Sequence, residues 1–425
     1  MSAHKVCIQL TPSINKSNNL FSVNNILFSF SRYLLLLVSV LLVSACADDT
    51  NVDEPAELVP FYSKYYLDVS WHQSSGAGAE EQYIFLHPLI LKEIVVTSSR
   101  DGVLNIISLK SGHFEEDIEL DTVISAGVAG NEEVWLLATR DAHVIAVDAK
   151  SRKERWRTRV PSEVLARPVI YEDTVIVRTI DGKILSLNVD SGKIRWQYQR
   201  AIPDLTLRGT SEPVVARGKI FVGLADGRLI AISPDNGEVI WDVALSVPAG
   251  RSEVQRLVDI DGDAELYGRV LYAASFQGRV AAIDVDRGQF LWARDFSTHT
   301  GVLLDEKVLY SSDEHGNIWA LDRLNGATIW KQDKLAHRKL TRPTIIGDYL
   351  AVGDFEGYVH LLSRYDGSFV ARYQLGQYDD LGWELGTGII VPPIVFREDR
   401  LVVVTRGGIV YVLRLLERED DFDEF

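Results

Sequence analysis

The 425-residue chain is acidic, with 44 lysine and arginine residues against 60 aspartate and glutamate residues and a formal net charge of −16. An anionic body of this kind is ill suited to phosphate backbones, which argues against a nucleic-acid partner. Only two cysteines are present, Cys7 and Cys46, so a disulfide framework is not expected to hold the fold.

An apolar segment at residues 34–43 follows Arg32 and precedes Ser44, Ala45 and Cys46. Such a segment is too short to span a bilayer and is typical of a signal-peptide core. It resembles the leader of bacterial lipoproteins, in which residues 43–46 form the lipobox and the cysteine is acylated after cleavage. The alternative is an ordinary signal peptide with an incidental cysteine. We expect residues 1–45 to be a leader and Cys46 to be the lipidation site.

The residues after Cys46 are polar and acidic. Ala47 follows the cysteine directly, and Asp48 and Asp49 come only after it. In lipoproteins an aspartate directly after the cysteine is the usual signal for retention in the inner membrane, so the resemblance implies anchoring in the outer membrane, facing the periplasm. Because residues 48–57 offer little apolar surface to bury, we expect residues 46–65 to be a flexible acidic tether.

A pattern of two glycines and a tryptophan recurs along the rest of the chain. In Gly182, Gly192 and Trp196 the glycines stand ten residues apart and the tryptophan follows four residues later. One weaker copy has Ala142 and Arg152 in the glycine positions. The tryptophans of the pattern are Trp156, Trp196, Trp241, Trp292 and Trp330.

Together with weaker copies on both sides, the pattern occurs eight times at intervals of 38–51 residues. This period is typical of a four-stranded propeller blade rather than of a helical repeat. The glycines supply the positive φ that tight hairpins require, and each tryptophan is expected on the outermost strand, filling the gap between blades. We predict an all-β, eight-bladed β-propeller of four-stranded blades with quinoprotein-like repeats over residues 66–416.

The two ends of this region predict how the ring closes. After Gly408 only one good strand remains, at residues 409–415, before the chain becomes an acidic tail at residues 417–425. Residues 66–71 end in Trp71 without a preceding glycine pair. We expect this early segment to supply the missing outer strand of the last blade, which removes an open sheet edge.

Three insertions interrupt the regular spacing, at residues 201–210, 247–268 and 377–387. In the first, Leu205 and Leu207 alternate with polar residues and Arg208 follows. Leucines beside an arginine in a connecting loop are typical of a protein-contact region. The alternative is an extra, half-buried strand. For residues 377–387 the default is a solvated loop.

The second insertion contains carboxylates at alternate positions, Asp259, Asp261, Asp263 and Glu265. Calcium loops present oxygens in this way. However, Gly262 is fourth in the series where an EF-hand has its glycine sixth, and the distal glutamate is missing. A charged contact surface or a solvated loop is the preferred interpretation, and no metal is expected.

The chain carries no phosphate-binding loop, zinc-protease motif or nucleophile elbow, and its histidines are scattered. The repeat resembles the tryptophan-docking motif of pyrroloquinoline-quinone propellers, most closely around Trp292 and Trp330. Catalysis in those enzymes needs a calcium site, a general-base aspartate and, in most, a disulfide of adjacent cysteines, which this chain cannot form. We expect no enzyme and no cofactor. The alternatives are a quinoprotein enzyme and a periplasmic sugar or peptidoglycan binder, which would cluster aromatic residues at one mouth of the ring.

The strings at residues 204–211, 253–261 and 352–360 are similar to those of the BamB family, lipoproteins of the outer-membrane β-barrel assembly machinery, and the likeness covers essentially the whole chain after the leader. The resemblance implies a non-enzymatic scaffold that binds the POTRA domains of BamA and assists the insertion of β-barrel proteins, with unfolded barrel proteins as further partners. The family's binding residues carry over to Leu205, Leu207, Arg208, Asp259 and Asp261. The two aspartates are expected to meet basic residues of the partner. The acidic tail and residues 377–387 depart from the family.

Overall fold

Residues 53–79, 82–208, 211–376 and 388–418 are described in the computed structural model, and their short strands pair into eight four-stranded antiparallel sheets. These sheets are the blades of a β-propeller and lie within the unit Glu54–Phe425. The predicted all-β, eight-bladed fold is confirmed.

The first strand, β1 (Tyr65–Ser74), pairs with the last blade, and the other strands follow in chain order, four to a blade. The strands of blades 1 to 4 are β2 Leu89–Ile90, β3 Ile94–Ser98, β4 Val103–Ser108, β5 Phe114–Glu119; β6 Ile124–Gly130, β7 Val134–Thr139, β8 His143–Asp148, β9 Glu154–Arg159; β10 Val169–Tyr171, β11 Thr174–Arg178, β12 Lys183–Asn188, β13 Ile194–Gln199; β14 Val214–Ala216, β15 Lys219–Gly223, β16 Arg228–Ile232, β17 Val239–Ala244. Those of blades 5 to 8 are β18 Glu265–Tyr267, β19 Val270–Ala274, β20 Gly278–Asp284, β21 Gln289–Phe296; β22 Leu303–Leu304, β23 Val308–Ser312, β24 Ile318–Asp322, β25 Thr328–Gln332; β26 Thr344–Ile346, β27 Tyr349–Gly353, β28 Tyr358–Ser363, β29 Phe369–Gln374; β30 Ile394–Arg397, β31 Arg400–Val404, β32 Ile409–Glu417. A short 3₁₀ helix, Val254–Arg256, lies between blades 4 and 5.

The core is divided among the junctions between blades. Buried apolar side chains of the described residues form eight clusters, one at each junction. In blade 3, for example, Val175 packs towards blade 2 and Ile176 towards blade 4. The middle strands are therefore covered on both faces, which explains their continuous apolar runs.

The tryptophans lie at these junctions and dock onto the next blade. The indole Nε1–H of Trp196 donates to the carbonyl of Pro234 at 2.7 Å, and a Cβ placed on Gly237 would come within 2.6 Å of the indole ring. The second glycine of each pattern thus makes room for the ring of the preceding blade. The same bond from a tryptophan to a carbonyl of the following blade is made by Trp71, Trp156, Trp241, Trp292 and Trp330.

The junction between blades 1 and 2 replaces this contact with an ion pair. Glu116 stands where blade 1 would carry its tryptophan, and Arg152 stands where blade 2 would carry its second glycine. Arg152 Nη1 donates to Glu116 Oε2 at 2.8 Å. Arg152 and Ala142 both take left-handed φ values, of 57° and 63°, as the glycines they replace would. The weakest copy of the repeat therefore retains its backbone geometry.

Ring closure follows the sequence prediction. β1 pairs with β32 in antiparallel register, with Tyr65 opposite Glu417 and Ser74 opposite Ile409. The N-terminal strand is therefore the outer strand of blade 8, and Trp71 docks from it onto blade 1 through the carbonyl of Leu109 at 3.1 Å.

The structure differs from the sequence analysis in two places. The glycines of the repeat are predicted in tight turns, but in blade 5 the left-handed residue is Gln277, with φ 44°, and Gly278 is the first residue of β20. A side chain at Gly278 is excluded, since a Cβ there would meet the hydroxyl of Ser246 at 2.0 Å. In the second half of the predicted tether, residues 46–65, the structure places residues 56–63 against the ring, and β1 begins at Tyr65. These residues find apolar and hydrogen-bonding partners on blades 6 and 7 that composition does not show.

Several predictions fall on residues outside those described: the leader at 1–45, Cys46, the insertion at 377–387, and most of the tail at 417–425. Within the described part of the chain, no helix is long and apolar enough to cross a membrane.

Candidate partner-binding site

The first two insertions are consecutive connections between blades. Residues 200–213 lead from β13 of blade 3 to β14 of blade 4, and residues 245–264 lead from β17 to β18 of blade 5. Each leaves an outer strand and enters the next inner strand, so both lie at the same end of their blades. Residues 201–208, hereafter the contact loop, contain no strand. The alternative of an extra half-buried strand is therefore wrong.

Three hydrogen bonds join the two connections. The backbone N–H of Leu207 donates to Oδ1 of Asp259 at 2.9 Å, and the hydroxyl of Ser211 donates to the carbonyl of Ile260 at 2.9 Å. The N–H of Glu212 donates to Oδ1 of Asp263 at 3.0 Å. The first bond fixes the backbone of the contact loop to the second connection, and the other two fix the residues that follow the loop.

A buried cluster of charges lies beneath the contact loop. Asp259 is fully buried, Asp261 is 5% exposed and Arg178 is 7% exposed. Arg178 Nη1 donates to the hydroxyl of Ser211 at 2.5 Å. Burial, followed by the nearby carboxylate of Asp261, raises the pKa of Asp259 to about 7, although the hydrogen bond from the Leu207 N–H opposes the rise.

The contact loop presents three of the predicted residues in different ways. Leu205 is 40% exposed, and Leu207 is half-buried. Arg208 is exposed and takes a left-handed φ of 73°, which places it at a sharp bend. Its Nη2 donates to Oε2 of Glu163 at 2.9 Å. The contact loop therefore exposes the apolar side chain of Leu205 and the cation of Arg208, and a hydrogen bond to Asp259 holds the loop backbone.

The two predicted aspartates are positioned differently from expectation. Asp259 and Asp261 were expected to meet basic residues of a partner, but both are buried. Asp259 lies beneath the contact loop, whereas Asp261 also lines the cavity described below. The structure gives Asp259 the role of holding Leu207, and direct contact of the two aspartates with a partner stays a prediction.

Two residues of this arrangement are missed by the sequence analysis. Glu163 holds Arg208, and Arg178 supports Ser211 beneath the contact loop. Both precede the insertion, which begins at residue 201, by more than 20 residues, and nothing in the local pattern marks Glu163. The one usable signal was Arg178 itself, a charged residue ending an apolar run at residues 174–178.

A cavity of about 1320 Å³ opens at the mouth bordered by these connections, and Glu212, Asp261 and Asp263 are among its lining residues. Aromatic side chains line it as well, among them Tyr83, Phe85, His87, Phe355 and Tyr358. The rings of Tyr83 and Phe85 meet edge to face at 5.1 Å. Burial, followed by the charges of Arg167 and Arg342, lowers the pKa of His87 well below its ordinary value, so this imidazole is neutral at pH 7.

Three of the alternating carboxylates at residues 259–265 accept hydrogen bonds from backbone N–H groups. Besides the bonds of Asp259 and Asp263, Glu265 accepts the N–H of Leu304 at 2.8 Å and pairs with Arg342 at 2.9 Å. Among the residues that the structure describes, no group of three or more histidine, cysteine or acidic side chains is arranged to hold a metal ion. The cavity also lacks the adjacent cysteines that the quinoprotein resemblance calls for, since both cysteines precede residue 53. The residues present do not fit a quinone cofactor with its calcium ion.

Known proteins are similar to this chain over most of its length. The family described as "Outer membrane protein assembly factor BamB" matches residues 71–332. Proteins of that name from Kangiella koreensis and Bordetella pertussis are 37% and 34% identical, each over 90% of this chain and 96% of the relative.

Solved structures give the same result. The crystal structure of BamB from Moraxella catarrhalis superposes with a TM-score of 0.73 at 27% identity, covering 82% of this chain and 99% of that one. The quinohemoprotein alcohol dehydrogenase of Comamonas testosteroni shares the fold alone, with a TM-score of 0.65 at 13% identity over 82% of this chain and 76% of that one. Because the family match covers more than half of the sequence and the relatives align over nearly all of it, this chain belongs to the BamB family of outer membrane protein assembly factors.

Proposed function

We propose that this protein is a non-enzymatic scaffold of the β-barrel assembly complex, which binds the POTRA domains of BamA through the contact loop and assists the insertion of β-barrel proteins into the outer membrane. One observation carries the proposal. The contact loop exposes Leu205 and Arg208 on a backbone that buried Asp259 fixes in place. A surface that is ordered before binding loses less conformational entropy when the partner docks.

Each exposed residue has a distinct role in this proposal. Leu205 buries apolar surface on the partner, which contributes up to about 1.5–3 kcal/mol if the side chain is fully desolvated. Arg208 exchanges its bond to Glu163 for charge-assisted hydrogen bonds to carbonyl or carboxylate oxygens of the partner. Leu207 is half-buried, and its backbone N–H holds the contact loop to Asp259. Arginine and large apolar side chains near the centre of a desolvated patch are typical hot spots.

Calorimetry of residues 47–425 with the POTRA region of the cognate BamA tests the proposal. All of the described strands lie in the unit from Glu54 onward, so this chain contains the whole ring. We expect Leu205→Ala with Arg208→Ala to weaken binding by about 100-fold or more, or about 3 kcal/mol. Leu324→Ala with Arg287→Ala is the matched control, since both residues are exposed in turns of other blades.

Two results would overturn parts of the proposal. If the parent chain binds no POTRA region, the scaffold role is lost. If the double variant keeps its circular dichroism and binds as the parent does, the contact site lies elsewhere. Titration with soluble peptidoglycan fragments in the same experiment addresses the second candidate, a glycan-binding propeller, which the aromatic lining of the cavity favours.

We also propose that Cys46 carries the lipid and that the ring faces the periplasm from the outer membrane. The leader-like segment at residues 34–46 supports the anchor, and the family name supports an outer-membrane association. Unfolded barrel proteins are proposed as further partners, since each blade ends in an outer strand with a free sheet edge to which an extended segment can add.

A further inference from the structure

Residues 56–63, hereafter the strap, run along blades 6 and 7, from the connection between these blades to the start of β1. The N–H of Ala56 donates to the carbonyl of Ala336 at 2.9 Å, and the hydroxyl of Ser63 donates to the carbonyl of Val370 in β29 at 2.6 Å. Between these ends, Leu58 packs on the apolar cluster between blades 6 and 7. The strap is therefore bound at both ends and in the middle.

Two arginines of the ring bind the strap backbone. Nη1 of Arg338 donates to the carbonyl of Ala56 at 3.1 Å, and Nη1 of Arg372 donates to the carbonyl of Val59 at 3.1 Å. The ring of Phe61 stacks on that of Phe369 with centroids 5.3 Å apart, and the guanidinium of Arg372 lies 5.1 Å from the Phe61 centroid. The contacts combine hydrogen bonds to backbone with an aromatic anchor, which is how ordered peptide segments are held.

A buried polar network holds the two arginines. Nε of Arg338 donates to Oδ2 of Asp354 at 2.7 Å, and Nε2 of His360 lies 3.0 Å from the same oxygen. Nε of Arg372 donates to Nδ1 of His360 at 3.1 Å. Because Asp354 and His360 are fully buried, the guanidinium groups are oriented before the strap binds. This built network argues that the strap has a fixed place.

The strap ends on the outer strand of blade 7, beside the junction of blades 7 and 8, where tryptophan docking has no acceptor. Blade 7 carries Ala371 in its tryptophan position. Its neighbour, blade 8, takes its outer strand from the N-terminus, so no third-to-fourth-strand turn exists there to accept an indole N–H. Phe61 and Ser63 of the strap contact Phe369 and Val370 of this outer strand, β29.

Docking of the strap changes the length of chain that is free between the anchor and the ring. From Cys46 to Ala56 the sequence advances ten residues, which reach at most about 36 Å when fully extended. From Cys46 to the first residue of β1, Tyr65, it advances nineteen residues, which reach about 68 Å. A docked strap therefore roughly halves the greatest distance between membrane and ring.

We propose that the strap is a docking element that shortens the membrane tether and fixes its point of attachment at the junction of blades 6 and 7. This inference rests on the proposed lipidation of Cys46 for its consequence, but not for the docking itself. A shorter tether raises the effective concentration of the ring near a membrane-bound partner. It also makes one side of the ring the side nearest to the anchor.

Hydrogen exchange on the mature full chain in detergent tests the docking. Phe61→Ser removes the aromatic anchor, and Tyr62→Ser is the matched control because Tyr62 is 87% exposed in the next position. We expect the peptide amides of residues 53–64 to exchange at least tenfold faster in Phe61→Ser than in the parent, and at the parent rate in Tyr62→Ser. Exchange of the parent strap at the rate of a free peptide would overturn the proposal.

Energy transfer on liposomes tests the shortened tether. A dye at Tyr365→Cys, an exposed position of blade 7, reports distance to labelled lipids in the lipidated chain. We expect Phe61→Ser to lower the transfer as much as a nine-residue glycine–serine insertion between Asp53 and Glu54, and Tyr62→Ser to leave it unchanged. Equal transfer in the parent and Phe61→Ser would refute the shortening. Failure of every chain to bind liposomes would instead refute the lipid anchor, while the exchange result still decides the docking.

Discussion

Buried carboxylates carry much of the local order at the scale of single residues. Asp259 is buried away from water, and its Oδ1 accepts a hydrogen bond from the N–H of Leu207. Its Oδ2 has no hydrogen-bond partner among the described residues. Such a group is costly when charged, because neither Arg178 nor the backbone bond fully offsets its desolvation and the charge of Asp261. Asp259 therefore stabilises the position of the contact loop at some cost to the folded state near neutral pH.

Replacement of Asp259 by asparagine is predicted to reduce the pH dependence of stability. A carboxyl whose pKa is raised from about 4 to about 7 on folding contributes stability at low pH, and this contribution is lost as pH rises through the folded-state pKa. Between about pH 5 and about pH 8 we expect the parent to lose about 2 kcal/mol more of its free energy of unfolding than Asp259→Asn. Urea unfolding at both pH values measures the difference.

The control for this prediction is Asp204→Asn, since Asp204 is exposed in the same contact loop. It should follow the parent at both pH values. Identical pH dependence in the parent and Asp259→Asn would mean that the carboxyl ionises normally and is better solvated than the fold indicates.

At the scale of strands and blades, the repeated unit is a contact between two blades rather than a blade by itself. Each tryptophan needs a carbonyl and a glycine from the blade that follows. Where the pattern changes, both partners change together, as Glu116 and Arg152 show. The residues of one repeat are therefore constrained by those of the next, which holds neighbouring blades in register around the ring.

Substitution of a docking glycine is predicted to cost more than the same substitution at a free turn. Gly237 and Gly218 both belong to turns of blade 4 and have φ values of 75° and 68°. Alanine at Gly218 meets nothing within 4 Å, whereas alanine at Gly237 meets the ring of Trp196 at 2.6 Å. We expect Gly218→Ala to cost about 1 kcal/mol through backbone strain and Gly237→Ala about 2 kcal/mol more. Denaturant unfolding compares them, and equal losses would contradict the docking.

The whole molecule depends on closure by its N-terminal strand. β1 covers the edge of β32 and contributes Leu67 to the apolar cluster between blades 7 and 8. Without it, blade 8 would have three strands and expose the edge of β32, and Trp71 would not reach blade 1. The part of the sequence nearest the proposed anchor is thus also the part that completes the ring.

A charge placed on the inner face of β1 is predicted to open the ring. Leu67 is 3% exposed and Tyr66, beside it on the same strand, is 39% exposed. We expect Leu67→Asp to lower the free energy of unfolding by at least about 3 kcal/mol, because a carboxylate would be buried without a partner, and to cause association through the freed edge of β32. Tyr66→Asp should cost less than about 1 kcal/mol. Thermal unfolding with size-exclusion chromatography measures both, and equal behaviour of the two variants would argue against closure by β1.

The sequence predicts the contact loop but not what lies under it. Leu205 and Arg208 are an apolar and a cationic residue in an irregular stretch, and this local pattern indicates a protein-contact region. Glu163 and Arg178 reach the loop from blades that are distant in sequence. The alternating aspartates predict a surface feature, because residues that face solvent and residues that hold a neighbouring loop show the same alternation. Binding of the contact loop to the POTRA region stays a prediction, which the calorimetry described above tests.

The number of blades, the four strands of each blade and closure by the N-terminal strand are determined by the sequence itself. Glycine turns and apolar runs are local and periodic, so their spacing predicts the blades and strands without knowledge of any long-range contact. Only the tertiary structure decides that Asp259 and Asp261 are buried and that residues 56–63 dock on blades 6 and 7. Both depend on partners far away in sequence, which the closed ring brings together and composition does not reveal.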